Sequence, residues 1–557
     1  PNVILISVDA LRADRLGCYG YRRHTSPMID KFAEESVLFE QASCQAPWTL
    51  PSHASMLTGQ YPLSFGYFRR LGETQLPESA VLVSEALRAA GFRTAAFTGG
   101  GWVGAAFGMV QGYSSYYENQ AIEPAWPRVL DWLTRSKDTP FFLFLHTYQV
   151  HDYWMFGLRD ARAEEFTGGY RGHLYYFHPY ELLAQLRWHS GRVTNTDRQF
   201  VEGLYDTSVR RMDDYIGTLL DHLSKLRLLD NTLIILTSDH GEGLGEHGTY
   251  LHGNSLYQEV ARVPLLVRFP RGRLKARRIT TPVALVDIVP TILDAAGLPV
   301  PPLPGRSLLK MAQERRPVPR TLFSDFADPD TPFAQLAVRQ GDYKLIHASG
   351  YQEPLRLFNL AADPAESTNL ARKDPARTKA LLAEIKDYVW QFGNGCIVWG
   401  WGEGKQRRVE VTVVAEEGAI LRTIPLFAYA ADAASTSADG RYAALHMQWA
   451  PGEADERGAL LQLQPGTSRL RFEWKVEGAP LAPGRALLGT LNWPQTTLVE
   501  PEKVAALSPS DLRRLSNGGQ ALLALWRAGA AEKAPPRAPQ PLSQQTREQL
   551  RALGYLR

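Results

Sequence analysis

Val3-Ile4-Leu5-Ile6-Ser7-Val8-Asp9 is an almost unbroken apolar run that stops on a carboxylate. A strand with one wet face alternates apolar and polar residues. A run that is apolar throughout suits a strand buried on both faces, as in a parallel sheet covered by helices. Two more runs share this form. Phe141-Phe142-Leu143-Phe144-Leu145 stops at His146, with His151 shortly after, and Leu233-Ile234-Ile235-Leu236-Thr237 stops at Ser238-Asp239-His240-Gly241-Glu242-Gly243. Strands alternating with helices, here expected over Ser84–Ala90, Val201–Leu226 and Asp287–Ala296, predict a doubly wound α/β sheet. In such sheets ligands bind beyond the carboxyl ends of the strands. Asp9, Asp239, His240 and His151 are therefore expected to converge, although they are far apart in the chain.

Thr49-Leu50-Pro51-Ser52-His53 opens another expected helix, behind the turn Pro47-Trp48. Taken alone, Thr49 reads first as an N-cap, with Pro51 an ordinary first-turn proline. A hydroxyl at that place is also a candidate nucleophile, because the free N–H groups and the positive end of a helix hold anionic oxygens. Two aspartates, an imidazole and a threonine oxygen form a reasonable donor set for a divalent cation. Each acid by itself would be an ordinary strand-end turn residue. The glycines around Asp239-His240 let backbone approach a bound group closely.

The order of these stretches resembles the sulfatase branch of the alkaline phosphatase superfamily. The matching segments are Asn2 to Asp14, Gly17-Cys18-Tyr19-Gly20-Tyr21, Ala46 to Gly59, Ser238 to Glu242 and Leu244 to Gly248. Arg262 to Leu265, Val286 to Thr291, Asp342 to Leu345 and Leu357 to Leu360, with Asp363-Pro364 and Asn369-Leu370, complete the match. The resemblance implies a mixed α/β core over residues 1–330 and a small α+β subdomain over 331–395.

The departures from the family pattern bear on chemistry. A sulfatase is expected to carry Cys-x-Pro-Ser-Arg, or serine first, and to convert that first residue to formylglycine. Here the positions hold Thr49 and His53. Threonine carries a methyl on Cβ, so oxidation does not yield the formylglycine aldehyde, and Cys44 is out of register. Threonine nucleophiles occur in relatives that act on phosphate esters. Ala10 replaces the second aspartate of the usual pair, and the Lys-Trp-His pattern is missing from Thr98 to Gly112. The resemblance then implies one metal ion held by Asp9, Thr49, Asp239 and His240. A nitrogen ligand and fewer carboxylates favour manganese or zinc, with calcium still compatible. His151 sits at the family's catalytic histidine and His252 where many sulfatases place an anion-binding lysine. Both are expected to be catalytic, and Arg12 and His53 are expected to bind substrate. His247 and Asp14 read equally as structural.

At 557 residues the chain calls for two or three domains. A net charge of +3 implies no nucleic-acid partner, and no run reaches the roughly 20 apolar residues of a membrane span. Three cysteines argue against a disulfide framework. The resemblance favours a periplasmic or secreted location. Beyond Gly395 the family pattern ends. Arg408–Val414, Ala419–Leu426 and Leu470–Val476 alternate as strands do and predict a β-rich domain over 396–500. It is expected to bind glycan, support a homo-oligomer, cover the site or serve structure alone. A linker at Ala534–Pro541 and a helix at Ser543–Leu553 are expected in the tail, 501–557.

These readings lead to a metal-dependent hydrolase of an anionic ester. Phosphodiesters or phosphonate monoesters are favoured, through a covalent threonine intermediate. The alternatives are a sulfate-ester hydrolase without formylglycine, a transferase to a glycan or lipid, and a binding protein without turnover.

Overall fold

The computed structural model of the chain describes residues 1–65, 75–118, 122–270, 274–315, 317–327, 334–349 and 353–393. Beyond these it describes 395–401, 407–426, 433–449, 451, 456–463, 469–476, 478–480, 486–490, 522–527, 544 and 548. Among the described residues there are two compact units. One comprises Pro1–Gln60 with Ala80–Ser324, the other Tyr61–Ser79 with Asp325–Gln540. The division falls at 324/325, whereas the sequence placed it at 330/331.

The first unit is built on eight strands: β1 (Asn2–Val8), β2 (Val37–Phe39), β3 (Arg93–Phe97), β4 (Ser115–Tyr117), β5 (Phe141–Thr147), β6 (Thr232–Thr237), β7 (Leu265–Arg268) and β8 (Arg277–Ile279). Their order is β8-β2-β7-β6-β1-β5-β3-β4. The sheet is mixed, because β7 runs antiparallel to both β6 and β2 while β1 is parallel to β5 and β6. The three apolar runs are thus its three central strands, and every residue in them is buried. Ile4, Ile6 and Val8 share one buried cluster with Trp126, Val129, Phe200 and Val209, from α2 (Ile122–Ser136) and α4 (Asn195–Lys225). The opposite face, with Ser7 and Phe144, meets His53 of α1 (Thr49–Thr58). Helices on both faces explain why the central strands need no polar side.

Register brings the site together. Ser7 lies level with His146 on one side and with Thr237 on the other. Three strand ends therefore finish at one height, and the residues just beyond them meet. β5 runs two residues past the expected end, so His146 is in the strand, where a strand-terminating residue was read. The amide of Asp9 still reaches the Thr147 carbonyl at 3.0 Å, extending the ladder by one bond. The expected helices are present as Val83–Ala89, α4 and α5 (Ile288–Ala296). α4 is longer than expected because Thr194 caps it, with a capping box to Asp197.

β9 (Thr321–Ala327), through which the division at 324/325 passes, forms a four-stranded sheet with β10 (Ala334–Gln340), β11 (Tyr343–Ala348) and β12 (Leu355–Asn359), in that order. Helix α6 (Pro375–Phe392) starts on the Asp374 cap and packs on β10 and β11. The β-rich region is two five-stranded sheets. One contains Ile420–Leu426, Glu456–Leu463, Gly395–Trp401, Leu522–Arg527 and Ala486–Thr490, and the other Ala433–Thr436, Tyr442–Trp449, Arg407–Glu417, Arg469–Val476 and Ala479–Pro480. All three strands expected there are present. Leu522–Arg527 corrects the reading of 501–557 as linker and helix, because it pairs antiparallel with Gly395–Trp401. The linker and the terminal helix expected in the tail fall almost wholly outside the described residues.

Asp325, in the second unit, is buried and accepts a hydrogen bond from the Tyr388 hydroxyl. Burial pushes its carboxyl up to about 7, and the tyrosine only partly offsets this. A carboxyl raised in the folded state stabilises fully below the unfolded titration near pH 4, and that contribution is lost as pH rises toward 7. Urea midpoints of the wild type are expected to fall between pH 5 and 8. Asp325→Asn should flatten that fall by up to a few kcal/mol. Equal pH dependence in the two proteins would remove Asp325 as its source.

Candidate active site

Asp9, Asp239 and His240 meet beyond the ends of β1 and β6, all fully buried. His240 Nε2 is 3.2 Å from Asp239 Oδ2 and 3.6 Å from Asp9 Oδ1. Among the described residues they are the one group of three such side chains with facing donor atoms within 4.8 Å of one another. Those facing atoms, Asp9 Oδ1, Asp239 Oδ2 and His240 Nε2, are also the ones left without a hydrogen-bond partner. Two carboxylates packed together in the dry interior repel. Burial and the presence of Asp9 raise Asp239, and burial likewise raises Asp9. A divalent cation resolves both problems, since it satisfies the orphaned atoms and cancels the charge. The imidazole is set for it as well. His240 Nδ1 donates to the Gly241 carbonyl at 2.8 Å, which leaves the Nε2 lone pair facing the carboxylates. The donor set fits a metal ion.

Other side chains hold this group in place. Asp239 Oδ1 accepts the Ala10 amide at 3.3 Å, and the Tyr205 hydroxyl donates to the Ala10 carbonyl at 2.6 Å. Ala10 takes up a left-handed backbone, φ 59°, to make both contacts. Ser52 of α1 donates to the Asp239 carbonyl at 2.5 Å. Gly241 has no room for a side chain, as a Cβ would stand 2.1 Å from the Glu259 carbonyl oxygen.

Thr49 is the first residue of α1, and Trp48 is the N-cap without a side-chain cap bond. Thr49 is therefore not the N-cap that it resembles in sequence. Its side chain is buried and hydrogen-bonds toward Asp9, which helps to hold that carboxyl ionised. The hydroxyl thus stands beside the acidic cluster at the positive end of a helix.

Two imidazole–carboxylate pairs flank the cluster. His151 Nδ1 donates to Asp152 at 2.6 Å, and His252 Nδ1 donates to Glu242 at 2.7 Å. The His252 ring lies 4.3 Å from that of His240 and 4.9 Å from that of His151. Burial opposes charge on His151, but Asp152, Asp9 and Glu242 outweigh it and raise the ring to about 9. His252 moves the other way, lowered by burial and by the neighbouring His240 and His151. A charged and a neutral imidazole therefore stand side by side, as an acid and a base require.

The two side chains expected to contact substrate, Arg12 and His53, are both engaged by neighbouring groups of the protein. The Arg12 guanidinium grips Asp14 through two bonds, at 2.9 and 2.7 Å, and also donates to the Glu242 carbonyl and to Glu246 at 2.9 Å each. A buried cation so engaged holds loops together and has little left for a ligand. His53 donates from Nδ1 to the Thr49 carbonyl and accepts from Ser7 on Nε2, both at 2.9 Å. Burial and the nearby His146 lower it to about 3, so it is neutral and braces the turn that presents Thr49.

Three contributors went unread in the sequence. His146 accepts the Gly99 amide on Nδ1 and so donates from Nε2 to Asp9 Oδ2, at 3.2 Å. Its position at the end of an apolar run was the available signal. Asp152 adjoins His151 and Glu242 follows His240 by two residues, but neither pairing is visible in a linear pattern. Three tryptophans near the site are buried: Trp154 packs 5.3 Å from the His151 ring, and Trp48 meets Trp102 edge-on at 5.3 Å.

Comparison with known proteins places the fold. A family model described as Sulfatase matches residues 1–298, and one described as N-sulphoglucosamine sulphohydrolase, C-terminal, matches residues 245–393. The chain is 25% identical over 436 residues to the ulvan-active sulfatase of Formosa agariphila, covering 71% of this chain and 82% of that one. It is 26% identical over 447 residues to arylsulfatase K of Canis lupus familiaris, covering 70% and 82%. The crystal structure of the phosphonate monoester hydrolase of Agrobacterium radiobacter shares the fold, with TM-score 0.57 at 19% identity over 70% of this chain and 96% of that chain.

Chelator-treated protein should melt at a lower temperature and recover when a divalent ion is added, because only the folded cluster binds it. Asp239→Ala should lose this response. A melting temperature indifferent to chelator and to metal in the wild type would argue against the centre.

Proposed function

The chain belongs to the sulfatase family, whose members are metal-dependent ester hydrolases, and from that premise we propose that this one cleaves phosphate esters, diesters or phosphonate monoesters, through a covalent intermediate on Thr49. The observation that carries the reading is a threonine hydroxyl, at the first position of a buried helix, hydrogen-bonded toward Asp9 of the acidic cluster. Asp9, Asp239, His240 and Thr49 would hold one divalent ion, manganese or zinc on donor chemistry. Bound there, it would make the hydroxyl a usable nucleophile and neutralise the anionic ester.

The chain's own groups account for the rest. Thr49 Oγ1 would attack phosphorus in line with the leaving oxygen, giving its proton to Asp9, to which it is hydrogen-bonded. His151, kept charged by Asp152, protonates that oxygen as its bond breaks. His252, neutral and oriented by Glu242, takes a proton from the water that cleaves the phospho-threonine. A diester bears one fewer charge than a monoester at the reacting group. That matches a site where the Arg12 guanidinium is already held by Asp14 and Glu246.

A second reading, sulfate-ester hydrolysis, is favoured by the names of the relatives. Against it, formylglycine releases sulfate by collapse of a hydrate, whereas a threonine sulfate ester requires direct attack by water. Transfer to a sugar or lipid acceptor would use the same first step.

Thr49→Ala should abolish turnover and fold normally, while Thr49→Ser, a primary hydroxyl, should retain part of it. A Thr49→Ala enzyme at the wild-type rate would refute the nucleophile. Across matched nitrophenyl esters, kcat/KM should be higher for phosphodiester or phosphonate than for sulfate. A clear preference for sulfate would make the second reading the correct one.

A further inference from the structure

Helix α3 (Pro179–Trp188) has an outer surface at odds with its exposure. It turns Leu182, Leu183 and Leu186 inward, all buried. A surface helix of this kind normally shows charge on its other side. Here the outward stripe, at intervals of four residues, is Tyr180, Ala184 and Trp188, with Tyr180 45% and Trp188 58% exposed. Just ahead of it, the turn His173–Tyr176 exposes Tyr175 by 39% and Tyr176 by 74%. These four make up a large part of the exposed bulky apolar side chains among the described residues, and they fall within one short stretch.

The charges around the rings have one prevailing sign. From 171 to 192 the ionised side chains are Arg171, Arg187 and Arg192 against Glu181 alone, and His173, His178 and His189 are exposed among them. Glu181 caps its own helix by accepting the His178 amide at 2.8 Å. Arg171 pairs with Glu164 across the surface and lies over the Tyr175 ring, 4.5 Å from its centre. The patch borders the active site. Arg187 lies close enough for its charge to act on Glu242 and His252, and α3 packs beside Tyr250–Leu251, the strand that leads into His252.

We propose that this face docks on an anionic lipid surface. Each exposed ring has an apolar body and a polar edge, three phenols and one indole N–H, whereas the leucines of α3 face inward. That composition suits the headgroup layer, where tyrosine and tryptophan settle and arginine meets lipid phosphate. α3 lies along the surface with its Tyr180–Trp188 stripe downward, and the loop bearing His252 is brought up to the headgroups. The docking stands whichever ester the site cuts.

The test is co-sedimentation of the full chain with vesicles of phosphatidylcholine alone and of phosphatidylcholine with phosphatidylglycerol. Binding is expected to the phosphatidylglycerol vesicles and to weaken with salt. Tyr176→Ser with Trp188→Ser should lower the partition coefficient by roughly tenfold or more. Arg192→Glu, a single change on an exposed loop, should lower it by about tenfold. Both variants should hydrolyse a small soluble nitrophenyl ester as the wild type does. The proposal fails if the wild type ignores anionic vesicles or if the variants bind them equally well. It also fails if the double variant instead loses binding to a soluble polyanionic polysaccharide, or loses a concentration-dependent dimer.

Discussion

Two carboxylates, Asp9 and Asp239, are forced together in a place that water does not reach. Among the described residues neither has a lysine or arginine beside it; His146, His240 and His53 meet them as neutral donors or acceptors, and the charged His151 also acts on Asp9. Ordinary folding would not tolerate that arrangement, because two buried negative charges cost far more than a strand-end turn gains. A multivalent cation bound between them would remove that repulsion. Around this requirement the ends of β1, β5 and β6 are levelled, Ala10 adopts a strained backbone and Gly241 remains without a side chain.

The histidines show how the surroundings of the cluster are controlled. Each ring has one nitrogen tied to a group of fixed polarity, either a carbonyl or carboxylate that can only accept or an amide that can only donate. The tautomer of each neutral ring is therefore set by the fold, and with it the character of the nitrogen facing the cluster, while His151 is held charged. His146 and His53 brace the acids and the helix turn, His240 offers a lone pair, and His151 and His252 stand on their own carboxylates. Five imidazoles of one kind thus have different duties, assigned by what sits behind each ring.

Much of the fold could be read from the chain because burial on two faces leaves an unmistakable apolar run, and the residue ending such a run must lie at the sheet's edge. That reasoning located Asp9, Asp239 and His240. It failed where function depends on a partner that only the fold supplies. Arg12 looked available because sequence displays a charge without displaying Asp14, Glu242 and Glu246 around it. His53 looked cationic because nothing in Thr49-Leu50-Pro51-Ser52-His53 reveals that Ser7 and the Thr49 carbonyl enclose it. His146 was passed over because a strand-terminating residue and a residue inside a strand look the same in one dimension. Leu522–Arg527, an apolar segment without clear alternation, paired with a strand more than a hundred residues earlier in the chain.

The central place of β1 has a consequence for how the chain is made. β1 leaves the ribosome well before its two neighbours, β5, beginning at Phe141, and β6, beginning at Thr232. At synthesis rates of about 5–20 residues per second, an apolar strand with both edges open waits roughly ten seconds or more for its second partner. During that interval Val3-Ile4-Leu5-Ile6 is a site for mispairing with another nascent copy. The parallel pairing of β1 with β5 and β6 that levels the acidic cluster therefore transfers a burden to the cell, which must shelter this segment until β6 emerges.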